Sequence, residues 1–264
     1  GANPYSGTFI PLDPLSVFQG EDPNGTWTLN VADTVAADIG SVRDFSLIVS
    51  DVVCGSTAQP ILSDNFNDNS LDVTKWVSND LFSGFSDNWL PLNETGQRLE
   101  IGPLSQAGAS GSHYRGIRTL HSYAFTGAYT HVELAQAPNL SSTADAMFTV
   151  GYSSDNYYRI YENNGSLFGL KRVGGVKTTL FTISYNSTNH RFWRIRHNAG
   201  SVTLDTAPGS GGVPGTWVQR FTQTWHSAIP VTSVLIEFRA GTSNQQTNPG
   251  TVIFDNFVFA LNSP

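Results

Sequence analysis

From residue 61 onward the chain falls into short stretches in which apolar and polar side chains alternate. In "NYYRIYEN", Tyr157, Arg159 and Tyr161 share one face, and Tyr158 and Ile160 the other. In "HRFWRIRHN", Trp193 and Ile195 face one way, and Phe192, Arg194 and Arg196 the other. A period of two is the signature of a half-buried β-strand. "AMFTVGYS", "SLFGLKRV", "KTTLFTISY", "SVTLDTA" and "TSVLIEFRAG" repeat the pattern, with turn residues between them. Short strands at this spacing predict a β-sandwich or barrel. "VIFDNFVF" is apolar on both faces apart from Asp255 and Asn256, as expected of an inner strand covered on both sides.

The first fifty residues alternate as well. "GTWTLNVAD" places Trp27, Leu29 and Val31 on one side, and "VRDFSLIVSDV" places Phe45, Leu47 and Val49 together as a core face. "DPNG" and "ADIG" supply the turns. "GSTAQP" then reads as a linker of small and polar residues. The organisation expected is a partial β-sandwich over residues 1–54, a linker over 55–60 and a larger all-β domain over 61–264.

Composition narrows the function classes. Charged residues make up 13% of the 264, so helices rich in Glu, Lys and Leu are not expected. The formal net charge of −7, with no Lys/Arg block, argues against nucleic acid and anionic membranes as partners. No apolar run is long enough to span a bilayer as a helix. No cationic, apolar leader opens the chain, which reads as mature, clipped or truncated. Cys54 is the sole cysteine, so no intrachain disulfide can form; it reads as a buried residue, with an intermolecular bridge as the alternative.

"FQGEDPNGTWTLNVAD", followed by Asp38, Gly40 and "VRDFSLIV", resembles the C-terminal half of the P (P/Homo B) domain that follows the protease in proprotein convertases. The resemblance implies a β-sandwich appended to a secreted enzyme or surface protein, with no chemistry of its own. Asp33 and Asp38 read as turn residues, with a bound cation as the alternative. The larger segment resembles the concanavalin A-like lectin/glucanase group. The resemblance rests on "DNFNDNSLDVTKW", "SSDNYYRIYENNGSLFGLKRVGG", "HRFWRIRHNAGSVTLDTAPG" and "FDNFVF". It implies a two-sheet jelly roll, an extracellular or cell-surface location, and glycans as partners.

Catalysis is not expected. The retaining glucanases of this group carry an E-x-D-x-E or E-x-D-x-x-E run on one strand, because they need two carboxyl groups about 5–5.5 Å apart. Here Glu133, Glu162 and Glu237 each stand alone on their strands. G-x-S-x-G and H-E-x-x-H are absent, and the histidines are scattered.

The candidate carbohydrate-binding residues are Tyr157, Arg159, Tyr161, Arg194 and Arg196 on one polar sheet face, with Tyr114 from "GSHYRGIR". A solvated face with cross-strand packing is the alternative. The candidate metal ligands are Asp255, Asp64 and Asp68, because a carboxylate within an apolar strand needs a partner and Ca2+ takes oxygen ligands. Trp76, Trp193 and Trp217 read as core residues within strand-like patterns. Asn24, Asn93, Asn139, Asn164 and Asn186 stand in N-x-S/T sequons. The expected function is a non-catalytic adhesion or carbohydrate-binding protein. Two alternatives stand beside it: a filament subunit self-associating through its incomplete N-terminal sandwich, and an accessory fragment of a secreted protease or glycoside hydrolase.

Overall fold

The structure, a computed structural model, describes residue 28 and residues 60–78, 80–84, 89–108 and 110–262. The chain divides into two units, residues 1–56 and 57–264, and the architecture below is that of the second. The strands expected before residue 55, the linker, Cys54, Asn24, Asp33 and Asp38 lie outside the described residues. So does the surface on which the filament alternative rests.

In chain order the strands are β1 (Pro60–Asp64), β2 (Trp76–Val77), β3 (Leu92–Thr95), β4 (Arg98–Ile101), β5 (His113–Thr119) and β6 (Ala128–Gln136). Then come β7 (Ala144–Ser153), β8 (Asn156–Asn163), β9 (Ser166–Val173), β10 (Val176–Ser184), β11 (Phe192–Asn198) and β12 (Ser201–Ala207). The last are β13 (Gly209–Ser210), β14 (Val213–Pro214), β15 (Val218–Thr224), β16 (Leu235–Thr242) and β17 (Val252–Leu261). The first sheet runs β15-β12-β11-β6-β17-β4-β3, with β1 also paired to β17. The second runs β10-β9-β8-β7-β16-β5-β2, and β13 and β14 form a small hairpin.

Local chemistry explains the hairpins. Asn164 and Gly165, at φ +49° and +72°, join Asn163 to Ser166 across β8 and β9. Gly174 and Gly175, at φ +55° and +81°, join β9 to β10. Two successive residues in the left-handed region make the turn whose twist matches a β-hairpin, and Asn-Gly and Gly-Gly tolerate it at least cost.

β17 is an inner strand of the first sheet. β6 covers one edge, while β4 pairs with Val252–Phe254 and β1 with Phe257–Ala260 along the other. The β6 pairing shifts register between Asp255 and Val258, so the two polar residues of "FDNF" sit in a bulge, where Asn256 takes φ +47°.

The core lies between the two sheets. Phe148, Tyr158, Ile160 and Phe238 of the second sheet meet Val132, Trp193, Phe254 and Phe259 of the first, all within one buried cluster. Trp76 joins them, 5.3 Å from the Phe238 ring and 5.1 Å from Phe257 between centroids. Burying an aromatic side chain of this size contributes roughly 2–3 kcal/mol. Trp76 and Trp193 are thus core residues as expected, but Trp217 is not. It lies outside any strand, half-buried, with the Arg194 guanidinium 4.1 Å above its ring.

Candidate functional site

In the second sheet, side chains alternate between core and outer face. Along β7, Ala144, Ala146, Phe148 and Val150 point inward, so Asp145, Met147 and Thr149 stand outward. Strand register stacks the outward residues in rows. One row reads Arg118, Glu237, Thr149, Arg159 and Leu170 across β5, β16, β7, β8 and β9. The next reads Gly116, Arg239, Met147, Tyr161 and Phe168, and the third Tyr114, Gly241, Asp145 and Asn163.

These rows hold an unusual density of buried polar groups. Arg159, Glu237, Arg239 and Asp145 are all buried. They persist away from bulk water because they pair. The loop before β3 lays Ser83 across the face. Its amide donates to Glu237 Oε2 at 3.1 Å, and its hydroxyl donates to Glu237 Oε1. Arg159 donates through Nη2 to Ser83 Oγ and through Nε to Thr149 Oγ1 at 2.9 Å. Arg239 Nη1 reaches the same hydroxyl at 3.4 Å. The two guanidiniums also lie over tyrosine rings, Arg159 at 4.5 Å from Tyr157 and Arg239 at 4.2 Å from Tyr114.

Beyond this network the third row opens into a cleft of about 490 Å³, lined by Tyr114, Asp145, Arg159, Tyr161, Asn163 and Lys177 among others. Tyr114 Oη donates to Asp145 Oδ2 at 2.6 Å, and Asn163 Nδ2 to Oδ1 at 2.9 Å. Burial raises the Asp145 carboxyl above its ordinary range, against the pull of these two donors. Burial, with Asp145 beside it, also pushes the Tyr114 phenol up, so it acts here as a donor. Tyr161 is half-buried and stacks on Phe168 at 4.8 Å with the ring planes 14° apart.

Three of the six sugar-binding candidates therefore converge: Tyr114, Arg159 and Tyr161. Tyr157 shares their face but is 1% exposed, beneath the Arg159 guanidinium. Arg194 and Arg196 do not belong there. Their strand, β11, pairs with β6 and β12 in the first sheet. Both donate through Nε to Asp205 Oδ2 at 2.9 Å, and that carboxylate is 1% exposed. They are occupied in a buried ion cluster on the opposite side of the sandwich. Ser83, Asp145 and Thr149 were not anticipated. The alternation of "ADAMFTVG" could have marked Asp145 and Thr149 as outward residues, but nothing local to "LFSGF" marks Ser83.

Asp145 and Glu237 are the carboxylates of this face closest to the cleft. They stand on adjacent strands four residues apart in register, so roughly 13 Å separates them along the strand direction. That exceeds the separation used by a retaining pair.

The three metal candidates do not form one ligand set. Asp64 accepts from the Phe66 amide at 2.9 Å and from Trp76 Nε1 at 2.8 Å, with Lys75 Nζ at 3.6 Å. Asp68 accepts from the Ser70 amide at 3.2 Å and lies beside Glu94, whose carboxyl burial and the Asp68 contact raise to about 7. Asp255 accepts from the Asn256 amide at 2.7 Å, and burial, with Glu133 beside it, raises it to about 6. Among the described residues no three His, Cys, Asp or Glu side chains converge on a point a metal could occupy. Asp64 and Asp68 line one cavity together with Asn256, and the Asp255 carboxylate in the apolar strand accepts from a backbone donor. The sequon residues Asn93, Asn139, Asn164 and Asn186 are all exposed.

Residues 4–49 match the family model of the proprotein convertase P-domain. Compared with curated proteins, the sequence has no significant match. Among solved structures, the second unit is similar to the CBM2 module of the evolved Dit of Lactobacillus casei BL23 phage J-1. That match has a TM-score of 0.57 at 10% identity over 78% of this chain and 97% of that one. It is also similar to a structure described under endo-acting O-glycanases of the human gut microbiota that initiate mucin breakdown, at TM-score 0.54 and 9% identity over 78% and 100%. A glycosyl hydrolase family protein from Mycobacterium fortuitum follows, at 0.50 and 13% over 76% and 99%. At these identities the likeness is one of fold: a concanavalin A-like sandwich of two antiparallel sheets, preceded by a stretch that matches the P-domain.

Proposed function

We propose that the chain is a non-catalytic, extracellular carbohydrate-binding protein that holds a glycan against the outer face of its second sheet. The observation that carries this reading is the cleft itself. An aromatic ring, Tyr161, is braced by Phe168 beside hydrogen-bonding groups from Arg159, Asn163 and Ser243. Sugars present apolar C–H faces and a rim of hydroxyls, so a rigid aromatic surface flanked by planar polar groups is complementary to them. The fold is shared with a carbohydrate-binding module and with glycan-degrading enzymes, which agrees with glycans as ligands.

The non-catalytic part rests on how the acids of this face are engaged. Glu237 is held by two bonds from Ser83, and Asp145 by Tyr114 and Asn163. A glycan array probed with the whole chain, followed by titration of the best binder, tests the reading. Saturable binding that Tyr161→Ala weakens and Arg196→Ala leaves intact supports it. Absence of binding to every glycan, or release of reducing sugar from one, overturns it.

A further inference from the structure

Building on that reading, we infer that the cleft selects glycans bearing a carboxylate, such as a uronic acid. The polar groups of the cleft differ in how fully they are engaged. Asp145 is the carboxylate that lines the cleft, and each of its oxygens already accepts a hydrogen bond. Glu237 stands outside the cavity and is doubly bound by Ser83. Neither carboxylate is left without a partner inside the protein.

The cations are in surplus. Arg159 spends Nε on Thr149 and Nη2 on Ser83, which leaves Nη1 without a partner among the described residues. Lys177 projects from β10 at the rim of the cleft, exposed, with neither an ion pair nor a hydrogen bond among the described residues. Hydroxyls of Thr143, Tyr161 and Ser243 and the side-chain amide of Asn244 also line it, and each can donate or accept. The cleft therefore holds two cations against one satisfied carboxylate, in a chain of formal net charge −7.

A neutral sugar hydroxyl both donates and accepts, and is best matched by mixed partners. A carboxylate only accepts, and it forms its strongest bonds with guanidinium and ammonium groups. A cleft in which two cations face one carboxylate that is already hydrogen-bonded matches the second. The buried Arg159 fixes one point of contact. The exposed Lys177 supplies the second at small folding cost, since its charge stays in water until ligand arrives.

The test uses the whole chain and matched pairs of probes. These are oligogalacturonate against its methyl ester, sialyllactose against lactose, and sulfated against unsulfated lactose. A carboxylated member is expected to bind about tenfold more tightly than its uncharged counterpart, an advantage that shrinks as salt rises. Lys177→Gln is expected to bring the ratio of carboxylated to uncharged affinity down toward one. Lys177 is exposed on an edge strand, so the variant should fold, and an unchanged melting curve verifies it. Equal binding of charged and uncharged members overturns the inference but leaves glycan binding intact. Preference for the sulfated probe alone moves the specificity to sulfate esters and overturns the carboxylate assignment. Binding to no member of any pair overturns both this inference and the reading beneath it.

Discussion

Ser83 and Glu237 stand 154 residues apart in the chain, yet the backbone amide and hydroxyl of Ser83 both donate to the Glu237 carboxylate. The same hydroxyl accepts from Arg159, so one small side chain links an acid and a base, both buried on the outer face of the second sheet. Buried charges survive only when paired and hydrogen-bonded, and this loop residue completes the pairing.

Removing either end should therefore be costly, and unequally so. Ser83→Ala leaves the amide bond to Glu237 in place and is expected to destabilise by about 1–3 kcal/mol. Glu237→Ala removes the carboxylate that faces Arg239 and that Ser83 links to Arg159, and is expected to cost more, about 3–5 kcal/mol. Urea unfolding of both variants measures the order. A smaller loss for Glu237→Ala than for Ser83→Ala would contradict the network described here.

Binding should distinguish the two sides of the sandwich. Tyr161→Ala is expected to weaken glycan binding about tenfold or more, since an aromatic platform contributes of order 1–2 kcal/mol. Arg194→Ala and Arg196→Ala should leave it unchanged, because both arginines serve Asp205 on the first sheet. Calorimetric titration of the three variants with one glycan decides it.

Glu162 should withdraw stability as pH rises through the acid-to-neutral range. It is fully buried on the core side of β8, and burial raises its carboxyl to about 7, against the pull of the Gly165 amide. The folded value lies above the ordinary 4.5, so its contribution is complete below about pH 4.5 and lost as pH rises to about 7. The loss amounts to roughly 3 kcal/mol at most, from 1.36 kcal/mol per pKa unit. His131 works in the opposite direction: burial, with Arg194 beside it, lowers it to about 4. Its contribution is complete above about pH 6.5 and fades as pH falls to about 4. The Glu162→Gln variant isolates the first effect. Its stability relative to the parent protein, from urea unfolding between pH 4.5 and 8, should improve steadily with pH. A difference independent of pH would refute the assignment.

Among the described residues Asp64, Asp68 and Asp255 each accept from a protein donor, so EDTA is expected to leave the melting temperature where it was. A fall of several degrees that added calcium restores would contradict this and point to a bound calcium ion.

The sandwich was legible because its signals are local. "ENNGSL" announces a tight hairpin, and alternation in "NYYRIYEN" separates Tyr158 and Ile160, which enter the core, from Arg159 and Tyr161, which do not. "VIFDNFVF" announced an inner strand, and β17 is covered along both edges. The candidate site was legible in part. Arg159 and Arg194 occupy equivalent-looking positions in two aromatic, arginine-bearing strands, and sequence placed them on one platform. They belong to different sheets.

A period of two arises within a single strand, from the geometry of successive residues, so the chain by itself determined where strands such as β8 lie and how side chains alternate along them. Which strands become neighbours depends on pairings between segments far apart, such as β6 with β17 and β7 with β16, and on the packing energy of the finished core. Only the tertiary structure could bring Tyr114, Arg159 and Tyr161 to one cleft, send Arg194 and Arg196 to the other side, and lay Ser83 over Glu237. Such contacts form only once distant parts of the chain meet, and no local pattern encodes them.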